Sequence, residues 1–463
     1  MILTIAAQNV IGFDDYSRYK FQKLIETYNK HAFKNAEKKK YYEGKVSLGE
    51  VNLGIALPEG LRGLEIGCAW GAKTVDVLAA RSMFDGFVGI NGNEVEDLTR
   101  MVVENKLIAQ YMKACRDELE FGSTFCTLSA GDNGTKIRFH SPMTAAALWD
   151  GEKNRIDCGF AIIDTAPANE TDPTWMPSLI NLYTDDCVWV LVRNGGNVWR
   201  ATPHPHRMGR PLMEALTWNA TSDKPFGRSR IKEPVRRLIQ GYVRTIANAT
   251  IGLEFATSPQ KYLLGVTDDQ YDAVINQKFR QYVGSIIAST TNPETGEKPT
   301  FGQLLQGNIS PHVEMIRVLA TQFSAATGLT VTDTGVVNDA NPTSSDAILA
   351  QSQTLVGMAE QLNTGNGDAL RTIALMALAI SQNKTLEDLT DEEKAIAPHF
   401  KNPAMPSVAV TADAAIKIAS ARQGFAGTDT FLEMIGFDAA DIRRIKAQEQ
   451  RARGAAVLEE MDV

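Results

Sequence analysis

The chain has 463 residues, of which 44% are apolar and 22% charged, with 47 Lys and Arg against 55 Asp and Glu. That length exceeds one ordinary core, so two or more structural regions are expected. The net charge of −8 excludes a protein built to grip a nucleic-acid backbone tightly, because basic excess and counterion release supply that affinity.

In chain order, Met1-Ile2-Leu3-Thr4 lacks the basic region and cleavage pattern of a signal peptide, so folding in a cytoplasm is expected. Residues 14 to 42 are polar and basic (Lys34, Lys38, Lys39, Lys40), with aromatics at Tyr16, Tyr19, Phe21 and Tyr28. They read as a solvated helix. Residues 72 to 82 and 95 to 119 also read as helices, the second with Val95, Leu98, Val102 and Leu107 near helical spacing. The texture then turns to short β-rich runs at Ser123 to Leu128, Thr135 to His140, Cys158 to Ile163 and Cys187 to Val192. The last passes through Arg193-Asn194-Gly195-Gly196 into Asn197 to Ala201, a hairpin signal. Strand following strand predicts an antiparallel sheet in an α+β fold that is largely helical.

From Gly227 helices dominate. Ile231, Val235, Leu238, Ile239, Tyr242, Val243 and Ile246 form one apolar stripe. Thr267 and Gln270 make a capping box for a helix over 267–287, striped by Tyr271, Val274, Ile275, Phe279, Tyr282 and Ile286. The insert Ser289 to Asn308 is rich in turn residues. Ser310-Pro311 opens the next helix, Pro being favoured at the first helical position, and Gly328 closes it. A loop over 331–341 precedes a helix capped near Thr343, and a further helix runs from Asp368 to Ser381. The tail from residue 384 is charged and helical, ending dense in Arg and Glu.

The five cysteines (Cys68, Cys115, Cys126, Cys158, Cys187) are scattered without a CxxC spacing and read as buried thiols. His204-Pro205-His206 has no Cys or carboxylate cluster beside it and reads as a solvated loop, not a metal site. The most apolar helical stretch, Ile373 to Ile380, falls far short of the roughly 20 residues that cross a bilayer, so no membrane partner is expected. Leu64-Glu65-Ile66-Gly67-Cys68-Ala69-Trp70-Gly71 resembles the first motif of methyltransferases that use S-adenosylmethionine, with Phe87 to Ile90 as a second strand. Trp70 is bulky where a cofactor must approach, the first acid after strand two comes only at Glu94, and the β/α alternation does not continue. No other catalytic constellation stands out, and no GxxxxGK[ST] phosphate loop is present. No enzyme activity and no cofactor are expected.

Several stretches, in order along the chain, resemble the portal proteins of tailed bacteriophages. They are Tyr41-Tyr42-Glu43-Gly44, Val75 to Arg81, Gly86-Phe87, Gly227-Arg228-Ser229-Arg230-Ile231, Pro259 to Gly265, Pro299 to Gln303, Ala326 to Leu329, Asn341 to Ile348, Ala412 to Lys417 and Leu432 to Gly436. The sequence departs from that family at Leu329-Thr330, where Leu-Pro is commoner, and at the looser Asn363 to Gly367. The resemblance implies a wing over 1–264, stem helices at 265–288 and 310–330, and a clip at 289–309. A channel loop and wing helices over 331–383 and a crown over 384–463 would follow. It also implies that Thr332, Asp333, Thr334, Asn338, Asp339 and Asn341 face the channel, with Lys278 and Arg280 on the stem. Glu294, Glu297, Lys298 and Phe301 would dock partners at the clip. The partners implied are further copies of this chain in a dodecameric ring, double-stranded DNA, the terminase large subunit, a head-tail adaptor, and the major capsid and scaffolding proteins. The place implied is the portal vertex of the virion, after assembly in the host cytoplasm; the alternatives are a methyltransferase that uses S-adenosylmethionine, on the Leu64 to Gly71 motif, and another head or tail structural protein.

Overall fold

The basic segment after residue 14 does not lie free in solvent. In the computed structural model it is helix α1 (Asp15–Tyr42), opened by the Asp14 carboxylate, which accepts from the Ser17 amide at 2.6 Å. Phe21, Leu24, Ile25 and Tyr28 recur at helical spacing and are buried, a stripe that the surrounding lysines conceal in the composition. The structure describes residues 2–47, 65–89, 95–131, 134–167, 175–194, 198–257, 261–266, 286–290, 300–303, 308–336, 345–404, 408–422, 424–437 and 439–461.

The strands in chain order are β1 (Val10–Ile11), β2 (Lys45–Ser47), β3 (Glu65–Gly67), β4 (Phe84–Val88), β5 (Ser123–Gly131), β6 (Gly134–His140), β7 (Ala145–Asp150) and β8 (Arg155–Pro167). Then come β9 (Trp175–Tyr183), β10 (Cys187–Arg193), β11 (Trp199–Pro205), β12 (Met213–Thr217), β13 (Lys261–Val266), β14 (Ile286–Thr290), β15 (Thr300–Gln303) and β16 (Ala397–Phe400). After α1 the helices are α2 (Trp70–Ala79), α3 (Glu96–Glu104), α4 (Leu107–Phe121), α5 (Glu233–Thr257), α6 (Ser310–Thr327) and α7 (Ser345–Ser381). The last are α8 (Asp391–Lys394), α9 (Val408–Ala421), α10 (Asp429–Ile435) and α11 (Ala439–Met461).

The largest sheet has the order β1-β11-β10-β9-β8-β7, antiparallel throughout except for the short parallel pair β1–β11. The hairpin expected around Asn194 is the pair β10–β11, with Arg193 opposite Trp199. β11 runs to Pro205, so His204 lies opposite Val188 at the end of a strand, not in a loop. The first half of α1 covers this sheet: Phe21 and Tyr28 pack on Phe160, while Phe13 meets Trp189 edge-on. A larger core gathers around α4, where Leu107, Tyr111, Cys115 and Leu119 are fully enclosed among α2, α7 and the sheet β12-β5-β6. All five cysteines are buried and unpaired.

Four elements differ from expectation. The helix read over 95–119 is two, α3 and α4, because Lys106 takes a left-handed φ of 50° between them. The two helices read over 343–381 are one of 37 residues. Asn363 to Gly367 lie inside it, held by a polar cluster in which Asn366 Nδ2 donates to the Glu118 carboxylate at 2.8 Å and to the Tyr111 hydroxyl at 3.0 Å. Burial pushes the Glu118 carboxyl up to about 8, while the hydrogen bond from Asn366 opposes that rise. Ile286 to Thr290 form a strand, β14, where the end of a helix was expected; it pairs with β13, which also pairs with β15. Residues 267–285 lie outside the described residues. Finally, residues 384–403 join the first of two compact units, Met1–Pro403, through β16, which pairs antiparallel with β4.

The second unit, Ala404–Val463, is helical, with α9, α10 and α11 around the buried Ala415 and Ile442. Phe425 meets Phe431 edge-on at 5.8 Å, and Lys446 pairs with Asp429.

Candidate functional site

Helix α6 and the turn that follows it are the parts of the expected channel region whose side chains are described. Pro311 sits in the first turn of α6, where its missing N–H costs nothing. Gly328 ends the helix in a left-handed conformation, φ 72°, and its amide closes on the Ser324 carbonyl at 2.8 Å. The chain then makes a short 3-10 turn at Thr332–Thr334. The Asp333 carboxylate accepts from the Thr330 amide at 2.9 Å and from the Thr330 hydroxyl at 2.8 Å. The Thr330 and Thr332 hydroxyls meet at 2.7 Å. This acid therefore shapes its own turn.

Two side chains distant in sequence fix that turn and the helix end before it. Trp70 Nε1 donates to the Thr334 carbonyl at 3.1 Å, and its ring packs on Phe323 and Tyr242 at centroid distances of 4.7 and 4.5 Å. Arg230, buried, donates to the Thr327 carbonyl at 2.7 Å and to the Thr74 carbonyl at 2.6 Å, under the Trp218 ring. Burial draws the Arg230 guanidinium down to about 10, so it keeps its charge at neutral pH. That charge is directed at the carbonyl end of α6, where a cation is favoured.

The Gly-rich motif around Trp70 thus serves packing. β3 pairs antiparallel with β2, and β4 pairs antiparallel with β16. A methyltransferase motif needs its first two strands side by side and parallel. Gly71 is needed because a side chain there would run into the Tyr41 carbonyl at the end of α1. The methyltransferase alternative falls on this pairing.

The profile of the phage portal proteins, SPP1 Gp6-like, matches residues 22–455. The chain belongs to this family. A portal protein of Mycobacterium phage D29 is 22% identical over 421 residues, covering 88% of this chain and 84% of that protein. Among solved structures, a chain in the neck of a native GTA particle computed with C12 symmetry is 12% identical, with a TM-score of 0.43, covering 80% of this chain and 89% of that one. A chain in the virion of a native gene transfer agent particle is 13% identical, with the same TM-score and the same coverage.

For the portal residues expected from the sequence, Thr332, Asp333 and Thr334 lie together in the one turn, with Thr332 exposed and the other two half-buried. Asn338, Asp339 and Asn341 lie outside the described residues, as do Lys278, Arg280, Glu294, Glu297 and Lys298. Phe301 lies in β15, paired with Leu263 through the backbone; its side chain is outside the description. Among the described residues, the helix packed on α6 is α5: Leu319 closes on Gly241, and the C-terminal half of α6 buries Leu319, Ala320 and Phe323. Trp70 and Arg230 were not expected at this site. Their signals were present all the same, as a bulky residue in a Gly-rich turn and as an arginine inside the family-like stretch Gly227 to Ile231.

Proposed function

We propose that this chain is the subunit of a closed ring, dodecameric in the phage particle, through whose channel double-stranded DNA enters and leaves the capsid. One observation carries this reading beyond the family. The N-terminal half of α6 holds Val313, Met315 and Val318 at 44%, 47% and 49% exposure. Apolar groups left uncovered on a helix otherwise docked to its own subunit suit contact with the next copy around an axis.

The stem is then the pair α5 and α6, and the clip is the chain between them, 258–309, with its three-stranded sheet β14-β13-β15. This moves the first stem helix from 265–288 to α5. The turn Thr332–Thr334, with Asn338, Asp339 and Asn341 beyond it, lines the channel with small polar groups that face water and phosphate without a strong grip. A net charge of −8 suits a conduit, since a ring that bound phosphates tightly would stall sliding DNA. The clip takes the terminase large subunit and the head-tail adaptor, and the wing takes the capsid and scaffolding proteins. The subunit assembles in the host cytoplasm, and the motor, not this chain, does the chemistry.

The test is native mass spectrometry with negative-stain imaging of the purified protein. A closed ring with an open centre is expected. A stable monomer at every concentration overturns the reading.

A further inference from the structure

A cleft of about 640 Å3 opens between α1, the start of β7 and the segment 224–233 that leads into α5. It is remote in sequence from the turn after α6, and nothing in the channel reading uses it. Its walls include Phe121, Phe125, Phe226 and the small side chains Ala145 to Ala147. Six cations also line it: Lys34, Lys38, Lys224, Arg228, Lys232 and Arg236. In a chain of net charge −8 such a cluster is out of keeping with the whole.

The two carboxylates in the lining are already engaged. Arg236 holds Glu37 at 2.5 Å and Glu233 at 2.6 Å, and Glu233 also binds Arg237 at 2.8 Å. Lys34, Lys224 and Lys232 are exposed and have no ion-pair partner among the described residues. Lys38 Nζ donates to the Phe121 carbonyl at 2.8 Å. Burial, then the neighbouring Arg236, draws Lys38 down to about 8, and burial with Lys38, Lys30 and Lys34 lowers His31. Burial is the larger cause in both, the neighbouring cations add to it, and Glu120 and Glu37 oppose the shift of Lys38.

We propose that this cleft binds an acidic peptide segment of a partner protein, one that also carries apolar side chains. Carboxylates on the segment pair with Lys34, Lys224 and Lys232 at the rim, and apolar groups displace water from the wall of Phe121, Phe226 and the alanines. The volume lies in the range that takes a few side chains. Nucleic acid fits less well, because a duplex offers its phosphates on a stiff rod and has no apolar group to place against that wall.

The probe is a fluorescein-labelled amphipathic peptide of Glu and Leu, followed by anisotropy against the assembled protein. An all-Glu peptide of equal charge and a short DNA duplex are run alongside. Lys34→Glu with Lys232→Glu changes two exposed side chains, and circular dichroism checks that the fold is retained; Lys224→Glu is the second variant should the pair fail to fold. The amphipathic peptide is expected to bind more tightly than the all-Glu peptide, to weaken with salt, and to lose about tenfold or more in affinity on charge reversal. Affinity unchanged by reversal, or equal binding of the two peptides, overturns the proposal. So does a duplex that binds at least as tightly as the amphipathic peptide and loses its affinity in the same variants.

Discussion

The two ends of helix α6 live in different surroundings. At its C-terminal end Leu319, Ala320, Phe323 and Thr327 are buried, Arg230 donates to the Thr327 carbonyl, and Trp70 packs on Phe323 while holding the next turn. At its N-terminal end Val313, Met315 and Val318 are exposed, and Arg317 pairs with Glu314 at 2.9 Å within the helix itself. The chemistry of the two ends is alike, since both carry large apolar residues at close spacing. What differs is that one end is finished by its own subunit and the other is not. The contrast separates residues that make the fold from residues left for assembly, and it can be broken from either side.

The largest effect is expected at the finished end. Phe323 is fully buried with its ring against Trp70, so Phe323→Ala leaves a cavity and should cost about 3 to 5 kcal/mol of subunit stability. Urea denaturation of the dissociated protein reads this directly. A loss below about 1 kcal/mol would mean that the site collapses freely and that this end is no better anchored than the other.

A smaller effect is expected at the turn. Trp70→Phe keeps an aromatic ring near Phe323 and Tyr242 but removes the indole N–H that the Thr334 carbonyl accepts. The net value of such a bond is about 1 kcal/mol. Most of the change should appear as faster amide exchange over residues 330–336, with little change elsewhere. Uniformly faster exchange would show that Trp70 acts through the core and not through the turn.

Much of this arrangement could be read from the sequence, and the parts that could not share a physical cause. The limits of α6 were legible because Pro311 and Gly328 act locally, through backbone conformation alone. β10 and β11 were legible for the same reason, through alternation and a turn signal. β7 was not: Ala145-Ala146-Ala147 carries no strand preference, and its state is set by pairing with β8. Nor was the continuity of α7, because Asn363 to Gly367 reads as a break until Asn366 meets Tyr111 and Glu118, more than two hundred residues away. The turn after α6 was singled out on family likeness, whereas its anchors Trp70 and Arg230 act across 264 and 97 residues of separation. Contacts of that span leave no periodic trace in the chain.

The smallest effect on the subunit is expected at the unfinished end, and it is the most informative. Val318 is 49% exposed, so Val318→Asp removes little buried apolar surface and should change subunit stability by no more than about 0.5 kcal/mol. If the next copy covers this half of α6, the same substitution places a charge in a desolvated contact with no partner, a cost of several kcal/mol at each repeat of the ring. Folding and assembly should therefore separate. The variant should melt with the parent when both are dissociated, yet native mass spectrometry should find it largely as monomers at concentrations where the parent is a ring. Rings of normal stability would place this face towards solvent and remove the observation on which the stem assignment rests. A variant that fails to fold as a monomer would instead show that Val318 belongs to the subunit core, and that the two ends of α6 are not different after all.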